Sequence, residues 1–218
     1  MNGSPRAEPR PLTSRSFSRA VRHLCEKDRG LRGIVERLGP PPLWTRDTGF
    51  PALVQIILEQ QVSLASARSA FEKLEAMASP LTPRRFLRLG DRQLKRAGFS
   101  RQKMLYCREL ARSIRTRRLD LDRFDAMTDE EVHARLTRVK GIGPWTADIY
   151  LLMALRRPDT WPAGDLALAR AFQKIRGLRR SPTPAQLDAW SHAWRPWRAV
   201  AARLLWHDYL NPQVVEPA

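Results

Sequence analysis

The sequence predicts an all-α protein, and three observations support this prediction. Apolar residues recur at intervals of three and four along most of the chain, as they do on the buried face of a helix. Several of these segments follow Ser, Thr or Asp, which is typical of helix starts. Strand-like alternation of apolar and polar residues does not occur, and the Gly- and Pro-rich connections are short.

The composition limits the class of protein. The 218 residues include 39 Lys and Arg against 22 Asp and Glu, a formal charge of +17, which favours DNA, RNA or an acidic membrane surface as partner. Two cysteines, Cys25 and Cys107, are too few for a disulfide framework or a multi-cysteine metal site. No run of about 18 apolar residues predicts a membrane span, and we expect no signal peptide because the N-terminal segment lacks an apolar core.

The N-terminal part is predicted to be an arm followed by two helices. Residues 1–16 are rich in Pro, Arg and Ser and predict a flexible basic arm. Helical spacing begins near Phe17 and ends at Gly30. A second helix is predicted at 31–38, because Gly39 and the three prolines after it stop a helix.

A third helix is predicted to start at Pro51, with Leu53 and Ile56 facing inward. Gln60 falls on the same apolar stripe. A buried polar side chain needs hydrogen-bond partners, so Gln60 and Gln61 are expected at an exposed helix end or a cleft.

The middle of the chain is predicted to be helical as well. Ser100 is either a plain N-cap or, with Lys103, a contact to backbone phosphate. Thr128 to Glu131 form a capping-box start. The predicted helices are 64–77, 83–89, 91–97, 101–117 and a segment that begins at Asp129.

Residues 136–165 carry the most functional information. Gly141 and Gly143 allow a tight turn, and Pro144 suits the first position of the helix that follows. The amides of this turn are therefore expected to face outward, where with the helix dipole they form a site for a phosphate. Asp165 follows a Pro-rich loop and is a typical N-cap of the next helix, where the dipole favours a negative charge.

The string LTRVKGIGPWTA, with ILEQQVS before it and WRPWRAVAARLLW after it, resembles the helix-hairpin-helix superfamily of DNA glycosylases. Within that superfamily it is most similar to the alkylpurine, 3-methyladenine type II, branch. The resemblance runs from about Gly49 to Tyr209. It implies an all-α, two-lobed helix-hairpin-helix fold whose parts are the arm at 1–16, a lobe at 50–155 that ends in the hairpin, and a discontinuous lobe at 17–49 plus 156–218.

The resemblance also implies an activity. Asp165 lies twenty residues after Trp145, as the family's catalytic Asp does after the hairpin tryptophan, and its charge would stabilise the sugar as the glycosidic bond breaks. Bifunctional relatives have a Schiff-base lysine at the position of Trp145; Lys140 lies upstream and does not match. The expected enzyme is a monofunctional glycosylase of base excision repair that removes alkylated purines such as 3-methyladenine and 7-methylguanine.

The base pocket is assigned by the same resemblance. Trp145 and Trp206 match pocket tryptophans, whose faces attract a positively charged purine. Ile149 and Leu166 stand where the branch often has tyrosine, and Tyr150 is expected to compensate.

The DNA contacts are assigned to the hairpin and to the end of the third predicted helix. Gln61 is the first candidate for the wedge that fills the gap left by the flipped nucleotide, and Gln60 is the second. Asp148, the nearest other carboxylate, is expected to be structural. The residues expected to bind DNA are Gln60, Gln61, Lys140, Gly141, Gly143 and Thr146.

No catalytic metal or iron–sulfur cluster is expected, because the four C-terminal cysteines of cluster-bearing relatives are absent. The carbonyls of Thr137, Val139 and Ile142 match positions that hold a monovalent cation in some relatives bound to DNA. Arg198 is expected to hold either an acidic side chain or a phosphate.

The expected partner is double-stranded DNA with damaged bases. The protein is expected to be a monomer and not to bind a membrane. The expected location is the bacterial cytoplasm, at the nucleoid, or a eukaryotic nucleus. Two alternatives stay open: a non-catalytic helix-hairpin-helix DNA-binding module, and a glycosylase for hypoxanthine, ethenoadenine or uracil.

Overall fold

The computed structural model describes residues 10–212 of the chain. Every helix and turn in that range belongs to an all-α architecture without a strand, which confirms the predicted fold class. The chain forms two compact units, divided after Thr45 and after Leu155, where the predicted divisions were after residues 49 and 155. Within the described range, no helix combines the length and apolar character needed to cross a membrane.

The helices are numbered in chain order. Short 3-10 turns at Phe124–Ala126 and His192–Trp194 separate some of them, and a π-helical turn at Tyr150–Ala154 continues α9. The helices are α1 (Ser14–Lys27), α2 (Arg29–Leu38), α3 (Phe50–Glu59), α4 (Leu64–Ala78), α5 (Pro83–Phe86), α6 (Asp91–Arg96), α7 (Arg101–Arg115), α8 (Asp129–Thr137), α9 (Pro144–Ile149), α10 (Leu166–Ile175), α11 (Pro184–Ser191) and α12 (Arg198–Leu210).

The predicted flexible arm at 1–16 is wrong at its C-terminal end, whereas residues 1–9 lie outside the described residues. Leu12 is buried, and its amide donates a hydrogen bond to the carbonyl of Arg156 at 2.8 Å. Thr13 and Ser16 form a capping box, with the Ser16 amide 3.2 Å from Thr13 Oγ1. This box satisfies amides that are otherwise unpaired at a helix start, so α1 begins three residues before the predicted helix.

The first unit, residues 46–155, is built around α3, which is buried on almost every side. Helices α4, α7 and α9 pack against it. Phe86 holds α5 to this core through ring contacts with Phe50 and Phe99, at centroid distances of 5.7 and 6.0 Å. Because α3 is fixed along its length, its C-terminal end is a rigid point of attachment for the Gln60–Gln61 turn.

The second unit comprises residues 10–45 and 156–212 and is built around α12. Nine of the thirteen residues of α12 are buried, and α1, α2 and α10 pack against it. Arg203 of α12 lies in the core, where its guanidinium donates to the carbonyls of Ala199 and Trp44, each at 3.0 Å. Burial lowers the pKa of Arg203 to about 10.

Two carboxylates hold the helices of this unit together. The Asp28 carboxylate accepts hydrogen bonds from the Leu31 amide at 3.2 Å and from Trp194 Nε1 at 2.8 Å, and it pairs with Arg176. Asp208 of α12 pairs with Arg37 of α2 at 2.6 Å and with Lys174 of α10 at 3.0 Å. The C-terminal end of α10 is therefore held to α2 and to the last turn of α12.

Candidate nucleic-acid interface and carboxylate site

The hairpin between α8 and α9 is a tight turn closed by its own backbone. The Val139 amide donates to the carbonyl of Leu136 and the Ile142 amide to that of Val139, each at 3.0 Å. Gly141 has φ +94°, a conformation that favours glycine. A Cβ at Gly141 would also lie 2.0 Å from Cγ of Tyr106, so both conformation and space require glycine here.

Gly143 has a different role from Gly141. Its φ is −89°, it precedes Pro144 as the N-cap residue of α9, and a Cβ on it would meet nothing within 4 Å. The prediction that both glycines serve the turn is correct for Gly141 alone. Gly143 leaves open space in front of the α9 N-terminus, as an approaching phosphate requires.

Gln60 ties the end of α3 to the hairpin. Its Nε2 donates to the carbonyl of Gly141 at 3.1 Å and to Thr146 Oγ1 at 2.9 Å. Thr146 is only 1% exposed, so the prediction that it contacts DNA is wrong: the side chain faces α3 and accepts from Gln60. Gln60 holds the hairpin in place, and its side-chain NH2 group is already engaged in these two hydrogen bonds.

Gln61 is exposed and presented by an unusual backbone. Its φ is +56°, in the left-handed region that non-glycine residues rarely occupy. Of the two wedge candidates, Gln61 is the one with an exposed side chain, and its role as a wedge stays a prediction.

A polar pocket of about 510 Å³ lies beside the hairpin. The hairpin forms one wall and the N-terminal turns of α7 another, with Gln60 and Gln61 at the edge. Lys140 is exposed here, as a phosphate contact would require. The lining residues are Gln60, Gln61, Gln102, Lys103, Tyr106, Thr137, Arg138, Val139, Lys140, Gly141, Ile142 and Gly143.

The pocket residues on α7 were not all found from the sequence. Ser100 is a plain N-cap, since its hydroxyl accepts from the Lys103 amide at 3.2 Å. Lys103 Nζ donates to the carbonyl of Leu58 at 2.6 Å, so it caps α3, and partial burial lowers its pKa. Gln102 and Tyr106 carry no motif; their helical spacing, four residues apart, is the only signal in the sequence.

The cation predicted at the carbonyls of Thr137, Val139 and Ile142 stays a prediction. Val139 O accepts from the Ile142 amide and so has one lone pair already engaged. Within residues 10–212, no group of three or more His, Cys, Asp or Glu side chains is arranged to hold a metal ion.

The prediction that Tyr150 lines a base pocket is wrong. Its side chain is 0% exposed, and its hydroxyl accepts a hydrogen bond from the Gly49 amide at 3.0 Å. Phe124 packs edge-on against its ring at a centroid distance of 6.1 Å. Burial raises the pKa of the Tyr150 hydroxyl. Trp145 is half-buried at the second position of α9, and its part in a pocket stays a prediction.

The second unit places Asp165 at the N-terminus of α10. The carboxylate is half-buried, and its Oδ1 accepts from the Leu168 amide at 2.9 Å. The same oxygen accepts from Nε1 of Trp206 at 3.2 Å. Leu166, the next residue, is 76% exposed. The dipole of α10 and two hydrogen-bond donors therefore fix a negative group beside an indole.

The Trp206 contact was not predicted from the sequence. The resemblance assigned Trp206 to stacking through its face, whereas the structure shows that its edge donates to Asp165. The indole is 9% exposed and is held by α12. Two residues separated by forty positions in the chain leave no local signal, so spacing alone does not reveal this bond.

Two other charged residues have structural partners. Arg198 forms a bidentate pair with Asp159, with Nε–Oδ1 and Nη2–Oδ2 distances of 3.1 Å each. Of its two predicted partners, the acidic side chain is the one observed. Asp148 lies 3.7 Å from His133 Nε2, in keeping with a structural role.

Comparison with known families gives one match that covers most of the chain. Residues 54–198 match the HhH-GPD superfamily of base excision DNA repair proteins. The DNA-3-methyladenine glycosylase 1 of Schizosaccharomyces pombe is 25% identical over 209 residues, covering 90% of this chain and 92% of that protein.

Solved structures share the fold. A Schizosaccharomyces pombe 3-methyladenine DNA glycosylase in complex with abasic DNA has a TM-score of 0.83 and 24% identity, over 89% of this chain and 98% of that one. A DNA-3-methyladenine glycosidase of Bacillus halodurans has a TM-score of 0.74 and 30% identity, over 87% and 88% of the two chains. These matches confirm the resemblance and the helix-hairpin-helix fold.

Proposed function

The chain belongs to the HhH-GPD superfamily of base excision DNA repair proteins, and on this premise we propose that it is a DNA glycosylase for alkylated purines in duplex DNA. The observation that carries the proposal is the half-buried Asp165 carboxylate, fixed by the Leu168 amide and the Trp206 indole. The relatives named above are 3-methyladenine glycosylases, which makes 3-methyladenine the first substrate to test. The protein is proposed to act where the DNA lies, at a nucleoid or in a nucleus.

The proposed chemistry needs one negative group. As the bond between sugar and base breaks, positive charge develops on the deoxyribose, and the Asp165 carboxylate stabilises it. N-alkylated purines already carry a positive charge and depart as neutral bases, so no proton donor is needed. Water adds to the sugar on the face held by Asp165 and loses a proton to the solvent, and the products are a free base and an abasic site.

The proposed enzyme is monofunctional. A lyase needs an amine that forms a Schiff base with the sugar. Trp145 stands at the hairpin position where bifunctional relatives have that lysine, and Lys140 is on the other side of Gly141. We therefore expect the phosphodiester backbone to stay intact after base release.

A panel of damaged duplexes tests the proposal. The panel contains 3-methyladenine, 7-methylguanine, hypoxanthine, ethenoadenine and uracil, and base release is measured by chromatography. We expect release of the two alkylpurines and strand breaks only after heating in alkali. Strand breaks without alkali would contradict a monofunctional enzyme. Tight duplex binding without release of any base would instead indicate a non-catalytic module.

Changing Trp206 to Phe tests the hydrogen bond to Asp165 separately from ring packing. A charge-assisted hydrogen bond is worth about 1.5–3 kcal/mol, so we expect the single-turnover rate to fall about tenfold or more as the carboxylate loses its fixed orientation. The affinity for abasic duplex should stay within about twofold, because Phe retains an aromatic face.

The matched control is Trp190→Phe. Trp190 is partly exposed and stacks on Phe172 at a centroid distance of 5.0 Å in the same unit. The Trp190→Phe substitution makes the same chemical change at a site that does not contact Asp165, so the single-turnover rate of this variant should equal that of the wild type. Equal rates for the two variants would rule out a positioning role for Trp206.

A further inference from the structure

The charges of the unit that carries the hairpin are divided between two parts. Residues 84–118, which include most of α5 and all of α6 and α7, hold thirteen Lys and Arg against two Asp and Glu, a net charge of +11. Residues 46–83 and 119–155 hold seven against eleven, a net charge of −4. A uniformly arginine-rich composition would not produce this division. We call the exposed face of residues 84–118 the α5–α7 surface.

Most cations of the α5–α7 surface have no carboxylate partner among residues 10–212. Arg108 pairs with Asp91 at 2.6 Å and also donates to the carbonyl of Leu89 at 3.1 Å, which fixes α6 against α7. Arg118 pairs with Glu109 at 3.1 Å. Nine exposed cations of this segment form no ion pair with another described residue: Arg84, Arg85, Arg88, Arg92, Lys95, Arg96, Arg101, Arg115 and Arg117.

The cations on α7 follow one face of the helix. Four arginines and one leucine lie on one side of α7, because they are spaced by four, three, four and three residues. They are Arg101, Leu105, Arg108, Arg112 and Arg115. At 1.5 Å per residue the stripe spans about 21 Å, equivalent to about six base pairs of duplex at 3.4 Å each. The N-terminal turns of α7 line the hairpin pocket, so the stripe begins at the hairpin and leads away from it.

We propose that the α5–α7 surface binds the sugar–phosphate backbone of the duplex that flanks the damaged nucleotide. The proposal rests on the proposed function, in that it takes DNA as the ligand of the hairpin. Arginine guanidinium groups match phosphate oxygens, and contacts to phosphate carry no sequence information. The surface therefore extends the footprint and holds the enzyme on undamaged DNA during the search for a lesion.

Duplex DNA fits this surface better than a lipid bilayer does. A membrane-surface helix needs an apolar face that enters the acyl boundary. Leu105 is the only large apolar side chain of residues 84–118 that is well exposed, and it lies within the arginine stripe. A hydrated polyanion needs no apolar insertion.

The test compares two variants with the same loss of charge. The surface variant carries R88Q, R92Q, R96Q and R115Q. The control variant carries R15Q, R19Q, R22Q and R29Q on α1 and α2, where the arginines are also exposed and form no ion pair with a described residue. Binding of an undamaged duplex of about 30 base pairs is measured from about 0.05 to 0.3 M salt. Each phosphate contact contributes about 0.9 to the slope of log K against log salt.

We expect the slope of the surface variant to be smaller in magnitude than that of the wild type by about 2–4, and its affinity at 0.1 M salt to be at least tenfold lower. The slope of the control variant should decrease by less than about 1. Single-turnover base release at saturating enzyme should equal that of the wild type for both. Equal slopes for the two variants would overturn the proposal, because net charge alone would then explain the binding.

Vesicles of phosphatidylglycerol and phosphatidylcholine form a second arm of the test. Loss of vesicle binding by the surface variant, with an unchanged DNA slope, would assign the surface to a membrane and overturn the proposal. If the protein releases base but the surface and control variants have equal slopes, this proposal is wrong and the glycosylase function is retained. If the wild-type protein releases no base but the variants show the expected slopes, the proposed glycosylase function is wrong and the proposed DNA-binding surface is retained.

Discussion

Replacing Asp165 by Asn is expected to lower the single-turnover rate of base release by about 10²–10³-fold, the usual loss when one electrostatic stabiliser of a transition state is removed. Asn has the same shape, is as good an N-cap as Asp, and still offers an oxygen to the Leu168 amide and the Trp206 indole. The fold should persist, while the negative charge that meets the sugar is lost.

The measurement is single-turnover release of 7-methylguanine or 3-methyladenine at saturating enzyme, with affinity for abasic duplex measured in parallel. Asp148→Asn is the matched control, since it makes the same change at the half-buried carboxylate of α9 beside His133. We expect the control to keep its rate. Undiminished release by the Asp165 variant, or an equal loss in both, would show that Asp165 does not carry the chemistry.

Replacing Gly141 by Ala is expected to have the largest effect on stability among the residues of the hairpin. Alanine at φ +94° costs about 1–2 kcal/mol, and its Cβ would lie 2.0 Å from Cγ and 2.4 Å from Cδ1 of Tyr106. Relieving such an overlap typically costs a further 1–3 kcal/mol or so. Either the turn or α7 must move, and the bond from Gln60 to the Gly141 carbonyl is lost with it.

Thermal unfolding of the free protein measures this effect. A loss of about 2–5 kcal/mol corresponds to a decrease in melting temperature of about 5–15 °C for a chain of this size. Gly143→Ala is the control for stability: its φ is −89° and its Cβ would meet no atom within 4 Å, so its melting temperature should change by about 2 °C or less. Similar melting temperatures for both variants would mean that Tyr106 does not constrain the hairpin.

The predictions from sequence succeeded where a residue's role depends on its own backbone segment. Asp165 as an N-cap, the capping box at Thr128 and the all-α class follow from local rules, and the structure shows each of them. Gly141 and Pro144 mark the hairpin for the same reason.

The predictions failed where a role depends on which neighbour packs against a helix. Thr146 lies in the first turn of α9 and Tyr150 directly follows its last residue, yet one accepts a hydrogen bond from Gln60 and the other from the Gly49 amide. The π-helical turn at Tyr150–Ala154 changes the angle between successive side chains, so the 3.6-residue spacing does not extend past Ile149.

The charge division of the first unit can be counted from the sequence, but it was not predicted there, because only the total charge of +17 was considered. Residues 46–83 and 119–155 surround the basic segment in the chain but carry the acidic excess of the same unit.

The burial of α12 has a consequence for how this scaffold can acquire new specificities. Trp206 lies on a helix whose neighbours Arg203 and Asp208 are committed to core contacts, so substitutions that shift the indole will be eliminated through loss of folding before any change in lesion preference is selected. Leu166 adjoins the same carboxylate and is mostly solvent-accessible. In a directed-evolution experiment, we expect adaptive substitutions to accumulate at Leu166, with α12 unchanged.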